Sequence, residues 1–138
     1  MDRYVVDTHA LVWYLANDSR IGSKAKSLLY RCDAGDIQVI VPAIVLIESI
    51  SIITNPRKEI RGQRPSVDAL FLWLENNPQF IVSPLDYRIV RAFETQLPLL
   101  RSLRDDHDRL IVITSKILDN IPIITRDLLI TGVAQTIW

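Results

Sequence analysis

The chain has a single cysteine, Cys32, so no intramolecular disulfide can form, and nothing in it resembles a Cys/His zinc site. A reducing interior is the natural compartment for such a chain, and the cytoplasm is expected. Neither sign of charge is in excess: 16 Lys and Arg balance 16 Asp and Glu, and the pI is near 6.7. That excludes a globally basic nucleic-acid binder and leaves room for a local basic patch. Met1 is followed by Asp2, Arg3 and only a short apolar run, too brief for a signal peptide or a membrane span. Internal repeats and low-complexity tracts are also absent. What is present is 138 residues, 49% hydrophobic and 23% charged, which predicts one compact domain over 1–138 with a substantial core.

Hydrophobic spacing divides the chain into alternating elements. Residues 3–7 read as a short buried strand ending at Asp7, followed by a helix from Thr8 to about Ala16. Gly22-Ser23 opens a second helix, and Asp33-Ala34-Gly35-Asp36 is a turn signal. Gln38 to Val41 is strand-like, with Pro42 suited to the first turn of the next helix, Ala43 to about Thr54. That helix is apolar on almost every side, which predicts a core position. Helices are also expected around Leu70–Leu74, from Tyr87 to about Thr95 and from about Asp106 to Leu118. Further strands are expected at Phe80–Val82 and Pro122–Ile124, with a possible edge strand between Gly132 and Trp138. Short Val/Ile strands alternating with helices predict a three-layer α/β/α sandwich with a mainly parallel central sheet. Sites in such sheets form at the carboxyl ends of strands.

Four carboxylates stand in apolar surroundings: Asp7, Glu48, Asp108 and Asp127. An ionised carboxylate beside a buried element is costly unless a cation or hydrogen-bond donors compensate it, and a shared divalent cation is the simplest common compensator. Asp7 ends a strand before a helix, so it can cap, ligate, or do both. Glu48 is the only charge on its helix, and the nearest cations in sequence, Arg57 and Lys58, lie beyond the helix end. Asp105, Asp106 and Asp108 crowd one helix start around His107. Capping and dipole complementarity need only one or two of them. Asp105 reads as the cap and Asp108 as the residue facing a cation. Asp127 follows Thr125 at a strand end and can also cap the short segment Leu128–Ile130.

Other polar and aromatic residues carry weaker signals. His9 reads as a rim or packing residue. Trp13, Trp73 and Trp138 read as core or interface groups, because none lies within a basic cluster of the sequence. The segment from Pro56 to Pro65 holds Arg57, Lys58, Arg61 and Arg64, and is either a solvated loop or a phosphate contact beside the acidic site. Arg109 and Arg126 are the other candidate phosphate contacts.

These residues fall in a pattern. Val6-Asp7-Thr8-His9-Ala10-Leu11-Val12-Trp13-Tyr14-Leu15, then Val41-Pro42-Ala43 with Glu48, Asp105-Asp106-His107-Asp108-Arg109-Leu110-Ile111, and Ile123-Ile124-Thr125-Arg126-Asp127 together resemble the PIN-domain nucleases. The closest likeness is to VapC-type toxins of toxin–antitoxin pairs, and it runs from end to end. The resemblance implies a Mg²⁺- or Mn²⁺-dependent ribonuclease acting on RNA, usually a homodimer, commonly held inactive by an antitoxin protein. It carries the family's acidic set onto Asp7, Glu48, Asp108 and Asp127, and its hydroxyl residue onto Thr125. The chain departs from the family at Asp105-Asp106-His107, where relatives often have Asp-Pro-Phe, and at Val112-Ile113-Thr114-Ser115, which replaces a run of small residues. Two rival readings are a catalytically silent RNA- or protein-binding module and an aspartyl phosphatase with Asp7 as nucleophile. The phosphatase would need a second Asp two residues on, where His9 stands.

Overall fold

The computed structural model describes every residue from Met1 to Trp138. Five strands, β1 (Arg3–Val6), β2 (Gln38–Pro42), β3 (Phe80–Ser83), β4 (Ile123–Ile124) and β5 (Thr136–Ile137), form one sheet in the order β3-β2-β1-β4-β5. Every neighbouring pair is parallel, so the sheet is wholly rather than mainly parallel. The helices are α1 (Thr8–Ala16), α2 (Ser23–Asp33), α3 (Ala43–Thr54), α4 (Val67–Asn76), α5 (Tyr87–Gln96), α6 (Asp106–Ile117) and α7 (Leu128–Thr131). Together they make a three-layer α/β/α sandwich. None is long and apolar enough to cross a membrane.

Strands sandwiched between helical layers must be apolar on both faces, which is why continuous Val/Ile runs form the sheet interior. Val5, Val6, Val39, Val41, Ile123 and Ile124 are all completely buried. The expected edge strand exists as β5, where Ile123 N donates to Gln135 O and Thr125 N to Ile137 O. Helix starts follow local chemistry. Asp7, Ser66, Asp86, Asp105 and Asp127 each accept a backbone N–H of the first helical turn, a contact worth about 1 kcal/mol.

The strand order reverses between β1 and β4. From β1 the chain proceeds outward through β2 to β3, then returns to β4 and β5 on the other side. The carboxyl ends of β1 and β4 therefore open into a crevice at a topological switch point. Asp7 follows β1 directly, and Thr125 follows β4.

Helix α3 departs from the expected all-round burial. Val45, Ser49 and Ile53 are buried, whereas Ile47 is 57% exposed. Only one side of α3 meets the body of the protein, and its opposite side forms part of a cavity wall. Uniform hydrophobicity marked the helix without identifying its inner face.

A buried acid pins the basic segment after α3. Asp18, 1% exposed, accepts Arg20 Nε at 3.0 Å, Arg20 Nη2 at 2.7 Å and the backbone N–H groups of Arg20 and Arg61 at 2.9 and 2.7 Å. These donors hold its carboxyl well below the usual range, the Arg20 guanidinium most of all. Gln63 N donates to Ala16 O at 2.8 Å. Gly62 lies so close to the end of α1 that an added Cβ would stand 2.1 Å from Ala16 O. Gly62→Ala is therefore expected to lower stability by about 1–3 kcal/mol, read as a lower midpoint in denaturant unfolding. An unchanged midpoint would show that this loop is not seated on α1.

Candidate active site

The switch-point crevice is a cleft of about 390 Å³ lined by five carboxylates, those of Asp7, Glu48, Asp105, Asp108 and Asp127. Arg126 and His9 are the only basic side chains on its walls. Residues far apart in sequence thus share one anionic basin, and each reaches it through a local device. Asp7 is the N-cap of α1, accepting Ala10 N at 2.9 Å, and is 8% exposed. Asp127 caps α7 by accepting Leu129 N at 2.8 Å, and its own N–H donates to the buried Thr125 hydroxyl at 3.0 Å. Asp108 lies in the first turn of α6, behind the cap Asp105, which accepts His107 N at 2.7 Å.

The electrostatics separate these acids into two kinds. Burial pushes the Asp7 carboxyl up to about 6, against the Thr125 hydroxyl and the Ala10 N–H, with the charges of Asp108 and Asp127 adding to the rise. Burial likewise pushes Asp108 up to about 6, reinforced by the charges of Asp127, Asp105 and Glu48. Asp7 and Asp108 are therefore undercompensated by the protein, and both feel Asp127. Glu48 differs: its Oε1 accepts the Thr8 hydroxyl at 2.8 Å and its Oε2 pairs with His107 Nδ1 at 2.9 Å. The contact raises the His107 pKa, the Glu48 hydrogen bond being the largest cause.

A hard divalent cation fits this donor set. Five carboxylates outnumber the single imidazole, His9, on the cleft walls; carboxylate oxygens suit Mg²⁺ or Mn²⁺, and Asp7 and Asp108 are held in a state that added positive charge would relieve. As the side chains stand, no three acidic, histidine or cysteine groups are drawn to the spacing of a coordination shell. The cleft is a lined basin of acids rather than a closed shell of ligands. Thr125 links the two acids at the strand ends: its hydroxyl hydrogen-bonds the Asp7 side chain and accepts the backbone N–H of Asp127.

His107 was not identified as a functional residue in the sequence. Its partner is 59 positions away, so no local spacing could have shown the pair; the only hint was the surplus of acids around it. The basic residues expected to contact phosphate lie in different places. Arg109 donates to Leu100 O at 3.3 Å, to Leu103 O, and to Asp106 at 2.8 Å, tying down the approach to α6 instead of facing the cleft. Arg64 donates to Ile52 O, Ile53 O, Asn55 O and Lys58 O, serving the bare carbonyls at the end of α3. Arg61 pairs with Glu59 at 2.7 Å, and neither it nor Arg57 lines the cleft. Arg126 does line it, and Lys58 lines the neighbouring cavity. Trp13 is buried as expected, yet in space it is the centre of a basic cluster. Arg20 and Arg126 lie 4.6 and 4.4 Å from its ring centroid, and His9 packs on it at 5.3 Å.

The raised acids fix a sign for pH dependence. A carboxyl with a folded pKa above its unfolded value stabilises most below the unfolded value, and that contribution is lost as pH rises through the folded one. For Asp7 and Asp108 the window runs from 3.8 to about 6. Asn retains the capping ability of Asp and cannot ionise. Without divalent ions, Asp7→Asn is therefore expected to raise stability at pH 7.5 by on the order of 1–3 kcal/mol, with little gain at pH 4. Thermal melts in chelator at the two pH values test this, and a destabilised variant at pH 7.5 contradicts it.

The sequence profile of the PIN domain family matches residues 4–134. No curated protein matches the chain at a significant level. Among solved structures, the VapBC2 complex from Rickettsia felis bound to a promoter DNA fragment is similar with TM-score 0.68 and 14% identity, covering 98% of this chain and 97% of that one. FitAcB from Neisseria gonorrhoeae is similar with TM-score 0.66 and 17% identity, covering 98% and 96%. FitAB bound to an IR36 DNA fragment is similar with TM-score 0.61 and 17% identity, covering 97% and 93%. At such identities the structural likeness establishes the shared fold, and the profile match over nearly the whole length establishes the family: the chain belongs to the PIN domain family, whose members are generally nucleases.

Proposed function

We propose that this protein is a Mg²⁺- or Mn²⁺-dependent endoribonuclease and the toxin component of a toxin–antitoxin pair. The observation that carries the reading is the anionic cleft itself, where five carboxylates from separate elements meet and where burial and neighbouring acids push Asp7 and Asp108 up to about 6. Family membership and the likeness to VapBC2 and FitAB complexes support the toxin assignment. On this reading residues 1–138 form one catalytic domain, working as a homodimer in the cytoplasm and restrained by an antitoxin.

In this mechanism Asp7, Asp108 and Asp127 would supply the oxygen ligands, with Glu48 joining them directly or through water. The chemistry such a cation would supply when held there is charge neutralisation at the phosphate and a lowered water pKa. Thr8 and His107 orient Glu48 by occupying one carboxylate oxygen each. Arg126, the guanidinium on the cleft wall, offsets the repulsion between the acids and an incoming phosphate.

Asp7→Asn and Asp108→Asn are each expected to reduce cleavage of single-stranded or structured RNA by more than ~100-fold with Mn²⁺ present. His107→Ala, which frees Glu48, is expected to cost roughly 10–100-fold, the range for groups that orient metal ligands. Asp106→Asn is expected to retain activity, since Asp106 faces solvent and pairs with Arg109. The measurement is initial cleavage rate on a labelled RNA, repeated in excess chelator. Undiminished cutting in chelator, or by Asp7→Asn and Asp108→Asn, overturns the mechanism.

A further inference from the structure

A second cavity, of about 440 Å³, adjoins the acidic cleft and shares His9, Glu48 and Ile52 with it. Its other walls include Arg20, Lys58, Ser51 and Glu59. By formal charge it is mixed, but its acids are already paired. Glu59 is bound by Arg61 at 2.7 Å, and Glu48 by Thr8 and His107. The cations are less fully engaged. Lys58 makes no ion pair and its side chain donates no hydrogen bond, while Arg20 uses Nε and Nη2 on Asp18 and Glu59 O and leaves Nη1 free. The uncompensated character of this cavity is therefore positive, immediately beside a basin whose uncompensated character is negative.

The cavity is also rigidly built. Arg64 ties Lys58 O to the end of α3, Asp18 holds Arg61 N, and Gly62 packs against Ala16 O. The side chain of Lys58 is thus free on a backbone that is fixed. Arg20 and Arg126 both stack on the buried Trp13 ring. One indole thereby sets the positions of a guanidinium in each cavity, Arg126 in the cleft and Arg20 next door.

We infer that the second cavity binds the phosphate adjacent to the scissile one, through Lys58 and Arg20, so that the RNA strand being cut runs across both cavities. The inference rests on the ribonuclease reading and adds a second phosphate subsite to it. A cavity of about 440 Å³ beside Ile47 and Ile52 has room for one nucleotide. The phosphate contact fixes the register of the strand over the acids without reading its sequence.

The test is equilibrium binding of a fluorescent single-stranded RNA pentamer to the full chain carrying Asp108→Asn, with and without Lys58→Ala, across a salt series. Lys58 is exposed, so its replacement leaves the fold intact, and Lys58→Arg serves as the charge-retaining control. Lys58→Ala is expected to weaken binding about 5- to 10-fold and to reduce the slope of log K against log salt by about 0.7, the value for one phosphate contact on a single strand. Replacing one linkage at a time by an uncharged methylphosphonate should locate a single position whose loss weakens binding with Lys58 present and has no effect in Lys58→Ala. Equal affinity and equal slope with and without Lys58 overturn the subsite while leaving the nuclease reading standing. Failure of the pentamer to bind the Lys58-containing protein at all overturns both.

Discussion

Like charges held together at the switch point of a parallel sheet are the constraint around which this molecule is organised. Asp7 and Asp127 reach the crevice because strands end there, and Asp108 and Glu48 because α6 and α3 present a first turn and a helix flank to it. Burial keeps the first turn of α1 dry, which is what makes the Asp7 carboxyl hard to ionise. The same acid closes the helix by capping it. Structural and chemical roles are therefore carried by one side chain, and the local stability gained from the cap offsets part of what charge repulsion removes. A fold that retains such a cluster is poised to gain from an added cation, because relief of repulsion and ligation act in the same direction.

Around this basin the protein disposes of its positive charge selectively. Arg64 and Arg109 satisfy backbone carbonyls at helix ends and loop turns, where guanidinium geometry can serve several acceptors at once. Arg20 answers the buried Asp18, and through it the basic segment after α3 is fastened to α1. Only Arg126 and Lys58, with one free edge of Arg20, remain directed to the cavities. A chain with no net charge can in this way hold a sharply negative pocket beside a modestly positive one. Steering of a polyanion then depends on this local arrangement, with no help from overall charge.

Much of the architecture was legible before folding was considered. The boundaries of α1 and α3 follow from the spacing of Leu11, Val12 and Leu15 and from Pro42 ahead of an apolar run, and the strands from their Val/Ile content. Caps were legible too, since Asp105 and Asp127 announce helix starts by chemistry that acts within three residues. The solvent-facing side of α3 was not, because Ile47 and Val45 are equivalent by composition and only the packing of α1, α6 and the sheet distinguishes them.

The site divides along the same line. Sequence alone marked Asp7, Glu48, Asp108 and Asp127 as anomalous, because an acid embedded in an apolar element demands compensation wherever the chain goes. It also determined the alternating layers that carry strand ends to one edge of the sheet. Tertiary structure decided who compensates whom: that His107 meets Glu48, that two arginines share Trp13, and that Arg64 and Arg109 turn to carbonyls rather than outward. Those partnerships join residues separated by whole elements, and they depend on strand order and helix orientation. Local spacing carries no record of either, whereas burial, capping and hydrophobic period are written within a few residues of where they act.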